Sequence, residues 1–434
     1  MKTRLLRRVT LAFFCVSFLA AQPTDDTQLK QVIILGRHSV RAPVAPNSTL
    51  DTYSVRPVPV FNVPTGYLTA NGGTLETLLS RYYRLWLTKE GLLTGNDPAD
   101  AGHVYFRSNV IQRTIATAQA FAASVLPGAS VNVNYLGPTA SDPLFDPVGA
   151  GVARLDQKMA VAAVQGRLGG NAQSLATAYA PELALPRAVL FGYPAGMTPV
   201  PKTPEGKVDV TTLPFQIGIG FPVDLGGLAP VSMAVDPFVM EYAEGLPVSD
   251  VGWSQLTADG VRQTLRLCSL VLDLVCRTPY LARLQSSNLA SHVVRSMLQA
   301  ATGSSLTGAL GDPSTKMIVL VASDLHVTGL AGLFHLDWLL PEYPSNYCAP
   351  GGALVLQLRQ SQRTGEYVVR ASYVAQTLDQ LRDRTALTLN TPPASAPVFI
   401  PGCSGRNATF DCPLAKFVEL AKQAIDPQSA DLVN

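Results

Sequence analysis

Residues 32–43 read VIILGRHSVRAP. Val32, Ile33, Ile34 and Leu35 form an apolar, partly β-branched run too short for a helix. Such a run is the pattern of a strand covered on both faces, as in a parallel sheet. Three side chains able to carry positive charge follow at once: Arg37, His38 and Arg41. A second run of the same kind, MIVLVAS at 317–323, leads into Ser323, Asp324 and His326.

Between these two runs the pattern alternates. GGTLETLLSRYYRLW has apolar residues at helical spacing, HVYFRS reads as a strand, and NVIQRTIATAQAFAASV returns to helix. Strands alternating with helices imply an α/β protein whose core is a mostly parallel sheet flanked by helices. From about 185 to 235, Pro and Gly recur without periodicity, with helical segments before and after, which implies an inserted lobe. The C-terminal part reads as strands and turns closed by the helix PLAKFVELAKQAI.

Composition sets outer limits. The chain has 434 residues, 47% hydrophobic and 15% charged, with formal net charge +2. That is a globular chain, and the absence of any basic block argues against a nucleic-acid partner. Lys2, Arg4, Arg7 and Arg8 precede an apolar stretch from Val9 to Leu19, followed by Ala20 and Ala21. This reads as an export signal over 1–21, too short to span a bilayer, and implies a periplasmic or secreted protein with no membrane anchor after cleavage.

Five cysteines remain beyond the signal. Cys403 and Cys412 flank the turn-rich SGRNATFD, which in an oxidising compartment favours a local disulfide. Cys268 and Cys276 fall in one helical run, about 12 Å apart along its axis, beyond the reach of a bridge. Cys348 has no evident partner. His103, His292 and His335 show no metal-ligand spacing and read as structural. Nothing points to a metal or an organic cofactor, or to an oligomeric state.

In an open parallel sheet, ligands gather at the carboxyl ends of the strands. If the two apolar strands are neighbours, their polar sequels open onto one cleft. A phosphomonoester there needs forked cations for its oxygens, an in-line nucleophile such as a neutral imidazole, and an acid for the leaving alkoxide. Arg37, Arg41, His38 and Asp324 match in type. Each also has an ordinary reading: a hydrogen-bonded histidine at a strand exit, surface arginines, and an Asp capping the following helix.

RHSVRAP resembles the Arg-His-Gly-x-Arg-x-Pro signature of the histidine acid phosphatases. GYLTANGG, RTIATAQAFAA, DPLFDPVGAGVARLD, GLPVSDVGW, LTLNTPP and GCSGRNATFDCPLAKF are similar, in order, to segments of its bacterial periplasmic phytase and glucose-1-phosphatase branch. The match is poorest over 187–228. The resemblance implies an α/β core over 29–154 and 281–434, with a smaller, mainly helical cap over 155–280. It implies a cofactor-free hydrolase of small phosphomonoesters, with His38 as the nucleophile that becomes a phosphohistidine and Asp324 as general acid. Arg37, Arg41 and Arg113 match the family's phosphate ligands, and Cys403 with Cys412 matches a family disulfide.

Two positions depart from the pattern. Ser39 stands where the signature has Gly, and Ser323 stands where the His of the family's His-Asp pair belongs. Losing one hydrogen bond to a charged group, about 1.5–3 kcal/mol, slows a reaction roughly 10- to 150-fold if it is felt only in the transition state. His326, three residues on, shares a helical face with Ser323 and is a possible compensating phosphate contact. Ala45 and Asn109 stand where the phytases carry a Lys and an acidic residue, which shifts expectation toward sugar phosphates or broad specificity. The competing reading is a catalytically silent member that binds phosphorylated ligands.

Overall fold

A computed structural model describes residues 25–431; the export signal read over residues 1–21 lies outside them. Ten strands lie among the described residues: β1 (Thr27–Arg37), β2 (Val104–Ser108), β3 (Val133–Asn134), β4 (Phe215–Gly218), β5 (Asp224–Gly226), β6 (Met317–Ala322), β7 (Ala353–Ser361), β8 (Tyr367–Ala375), β9 (Ala394–Val398) and β10 (Cys412–Pro413). Eight of them form one sheet in the order β10-β8-β7-β1-β6-β2-β3, with β9 also on β8.

β1 and β6 are adjacent and parallel, with Val32 opposite Met317 and Arg37 opposite Ala322. Both apolar runs are buried on two faces, as read. Ile33 and Leu35 join Ile318, Leu320 and Ala322 in one core. Val32 and Ile34 join Met317, Val319 and Val321 in the other. The period of two along each strand splits alternate residues between these cores.

The sheet is mixed rather than mostly parallel. β1, β6, β2 and β3 run parallel, but β7 is antiparallel to β1, and β8 pairs antiparallel with β7, β9 and β10. The reason lies in the connections. β7 returns as β8 after only Gln362 to Glu366, and a parallel return needs a crossover of a dozen or more residues. The antiparallel direction of β7 has a consequence for function: its first residues meet the last residues of β1. The segment 348–352 therefore joins the edge that carries Arg37 and His38.

Residues 155–280 contribute no strand to this sheet. They hold the helices Gln157–Arg167, Ser174–Ala178, Ala180–Phe191, Leu228–Glu244 and Ala258–Cys276, and the separate hairpin β4–β5. The Pro- and Gly-rich stretch is ordered by a hub rather than by periodicity. The Arg187 guanidinium donates to Asp209 at 2.6 Å, to Tyr193 Oη at 2.9 Å and to the Pro201 carbonyl at 3.0 Å. A loop near the N-terminus crosses to the same helices. The Val55 N–H reaches Leu190 O, and Trp253 Nε1 donates to Pro57 O, each at 2.9 Å.

Cys403 and Cys412 are disulfide-bonded, with Cα atoms 5.1 Å apart. Cys268, Cys276 and Cys348 are free and buried. No helix among the described residues is long and apolar enough to cross a membrane.

Candidate active site

The parallel pairing of β1 and β6 brings both polar sequels to one edge. The His38 N–H donates to Ala322 O at 3.0 Å, Arg37 N–H to Gly352 O at 2.9 Å, and Gly351 N–H to His38 O at 3.1 Å. Gly351 has φ +70°, a conformation that favours glycine, and a β-carbon there would press on Glu76 Oε2 at 3.3 Å. The Ser39 N–H donates to Thr117 Oγ1 at 3.2 Å, tying the turn to the helix Gln112–Val125. The backbone around His38 is thus fixed from three sides.

His38 is 2% exposed, and its Nδ1 lies 2.8 Å from Ser39 O. A carbonyl only accepts, so Nδ1 carries the proton and the neutral ring keeps its lone pair on Nε2. Burial holds the imidazole pKa well below its usual value, and the positive charges of Arg37, Arg41 and Arg113 push the same way. Both influences favour the neutral ring.

Three guanidinium groups share this environment. Arg37 donates to Cys348 O at 2.6 Å and pairs with Asp324 Oδ2 at 3.1 Å. Burial opposes the Arg37 charge, but Asp324, Tyr347, Cys348 and Asp236 together outweigh it, and the net pKa is raised. Arg41 meets Asp236 with two parallel bonds of 3.0 and 3.2 Å. Arg113, in the first turn of its helix, donates to Gly66 O at 3.3 Å, and burial together with Arg41 lowers its pKa to about 10. In each of the three, Nε is buried with no hydrogen-bond partner among the described residues. Buried unpaired donors cost about 1–3 kcal/mol each, a cost that an anion bound among them would relieve.

Asp324 is the first residue of the helix Asp324–Leu333, whose N-cap is Ser323. The ordinary reading of Asp324 as the cap does not hold: its carboxylate turns to Arg37, with Oδ1 accepting the Leu325 N–H at 3.0 Å. Ser323, 7% exposed, follows β6 directly. Its Oγ lies 2.9 Å from His326 Nδ1, and its N–H donates to the same nitrogen at 3.2 Å. His326 Nε2 lies 2.7 Å from Phe145 O. The spacing that suggested His326 as a replacement imidazole thus brings it to Ser323, and both its ring nitrogens are engaged within the chain.

Asp236 was not singled out from the sequence. It comes from the helix Leu228–Glu244 of the inserted lobe and also approaches Arg37, at 4.0 Å. Its helix neighbours Val235, Phe238 and Val239 are buried. Asn109 turns its Oδ1 to Ile111 N–H and the Thr114 hydroxyl. Ala45 packs with Leu50 and Val58. His103 and His292 bind carbonyls of Ser314 and Gly308.

A buried histidine thus stands among three arginines at the carboxyl edge of a mixed sheet flanked by helices. The chain belongs to the histidine phosphatase superfamily, branch 2, to which residues 28–175 match. It is 30% identical to the phytase AppA of Escherichia coli K12 over 415 residues, covering 94% of each chain. It is 29% identical to the glucose-1-phosphatase of Salmonella typhimurium LT2, covering 96% of this chain and 97% of that one. The structure superposes on the Hafnia alvei phytase in complex with tartrate with TM-score 0.83 at 30% identity, covering 94% of this chain and 99% of that one.

Proposed function

We propose that this chain is an exported acid phosphomonoesterase acting through a phosphohistidine. His38 Nε2 attacks phosphorus in line with the ester oxygen, forming an N–P bond as the P–O bond breaks. Arg37, Arg41 and Arg113 hold the non-bridging oxygens. Asp324, beside Arg37, gives its proton to the leaving alcohol. Water then attacks the phosphohistidine, releasing inorganic phosphate and restoring the imidazole, with Asp324 taking the water's proton back.

The observation that carries this reading is the state of His38: neutral, with its tautomer set by Ser39 O, beside three guanidinium groups with unpaired buried N–H donors. A structural histidine needs no such company.

Among substrates, small sugar phosphates fit better than an inositol ring bearing many phosphates. Ala45 is buried in an apolar cluster and Asn109 is an uncharged amide whose oxygen is held by the following helix turn, so neither offers a further charged contact. The second reading, a silent phosphate binder, draws support from Ser39 and Ser323. Phosphate release from p-nitrophenyl phosphate and a panel of sugar phosphates between about pH 3 and 7 separates the two. The hydrolase reading requires turnover by the wild type and none by His38→Ala. Binding without turnover in the wild type selects the silent reading.

A further inference from the structure

The arrangement around Ser323 fixes every proton in it. His326 Nε2 faces a carbonyl at 2.7 Å, and a carbonyl has no hydrogen to give, so Nε2 carries one. His326 Nδ1 receives the Ser323 N–H at 3.2 Å, so it holds a lone pair. The Ser323 hydroxyl, 2.9 Å from that same nitrogen, must then be the donor. Its one proton is committed to His326, and what remains on Oγ is lone pairs.

Nothing around the ring reverses this. Burial lowers the His326 pKa, outweighing Asp324, Asp146 and the hydrogen-bond partners Phe145 O and Ser323, which favour the charged ring. Phe145 also meets the ring edge-on, with centroids 5.4 Å apart. Protonating Nδ1 would set two N–H groups against each other.

Ser323 sits between Ala322, whose carbonyl holds the His38 N–H, and Asp324, which pairs with Arg37. A phosphate held beside Arg37 and His38 would meet an acceptor at this point. A dianionic phosphate, bearing only acceptor oxygens, is repelled there, whereas a monoanion can turn its P–OH toward Oγ.

We infer that the Ser323–His326 pair selects the monoanionic form of the phosphate ligand, with Ser323 Oγ accepting from P–OH and His326 as its positioning residue. This rests on the phosphate-site reading above and adds to it the protonation state of the ligand. Since a phosphate ester takes its second negative charge near pH 6, substrate binding is strongest below that pH and weakens above it.

The test is anion binding by titration calorimetry at pH 5, which needs no turnover. The probes are inorganic phosphate, a monoanion there, and sulfate, a proton-free dianion of the same shape. The wild type is expected to bind phosphate about 10-fold or more tighter than sulfate, the worth of one hydrogen bond involving a charged group. Ser323→Ala brings the ratio close to one. Ser323→His, which offers a ring N–H donor, shifts it toward sulfate. Equal affinities in the wild type, or a ratio unmoved in both variants, overturn the inference and mean that the hydroxyl rotates to donate. Binding of neither anion by the folded wild type refutes the phosphate-site reading itself, a separate outcome.

Discussion

Asp236 occupies groups that a phosphate needs. Its carboxylate takes both Nη atoms of Arg41, at 3.0 and 3.2 Å, with side chains only 6% and 17% exposed. A ligand bound to those N–H groups must first displace it. Two unit charges about 4 Å apart attract by about 4 kcal/mol at an effective dielectric of 20. The net worth of hydrogen bonds to a charged group is less, about 1.5–3 kcal/mol. Asn at 236 keeps one carbonyl acceptor but drops the charge, so about 1–2 kcal/mol of competition is removed. Asp236→Asn is therefore expected to bind inorganic phosphate about 5- to 30-fold tighter by titration calorimetry at pH 5. Its melting temperature controls for disturbance of the inserted lobe. Unchanged or weaker phosphate binding by a folded Asp236→Asn would refute the displacement argument and make Asp236 a contributor to the ligand site.

Further expectations follow from the same structure. Arg113→Ala weakens phosphate binding at least about 10-fold, through loss of a charge-assisted contact, and raises the His38 pKa by removing a neighbouring positive charge; the acid limb of kcat/KM then moves to higher pH. Glu241 is pushed up to about 8 by burial, only partly offset by the Gly252 N–H. The folded state thus keeps a proton that the unfolded chain loses near 4.5, and stability falls as pH rises between those values. Glu241→Gln keeps the acceptor and removes this burden, about 3 kcal/mol at pH 7; its gain in melting temperature over the wild type must grow from pH 5 to 7.5. Breaking the Cys403–Cys412 bridge, nine residues apart in sequence, costs about 2–3 kcal/mol in denaturant unfolding. Cys268, Cys276 and Cys348 are buried, which pushes their thiols up, to about 12 for Cys268 and Cys348. Reaction with a thiol reagent is expected at none of them in the native protein and at all three after unfolding without reductant.

How much of this was legible in the sequence follows from which forces act locally. The apolar runs at 32–35 and 317–322 disclosed buried strands, because burial on two faces demands an unbroken apolar run. Strand direction in the C-terminal half was less visible. The turn Gln362–Glu366 between β7 and β8 could have shown it, since so short a link permits only a hairpin. At the site, Arg37, His38, Arg41, Ser323 and Asp324 are readable because they adjoin those strands. Asp236 is not, because 195 residues separate it from Arg41 and only the fold of the inserted lobe brings them together. His326 shows a further limit. Spacing gave its proximity to Ser323, but the direction of its hydrogen bonds depends on the Phe145 carbonyl, 181 residues away.

The central claim is that phosphate passes through His38. It is tested most directly by rapid acid- and base-quench of the enzyme with a radiolabelled phosphomonoester, followed by peptide mapping of the label. The account predicts a protein-bound phosphoryl group that survives base, is lost in acid, maps to the peptide containing His38, and is absent in His38→Ala. Turnover without any trapped label, or label persisting in His38→Ala, would contradict it.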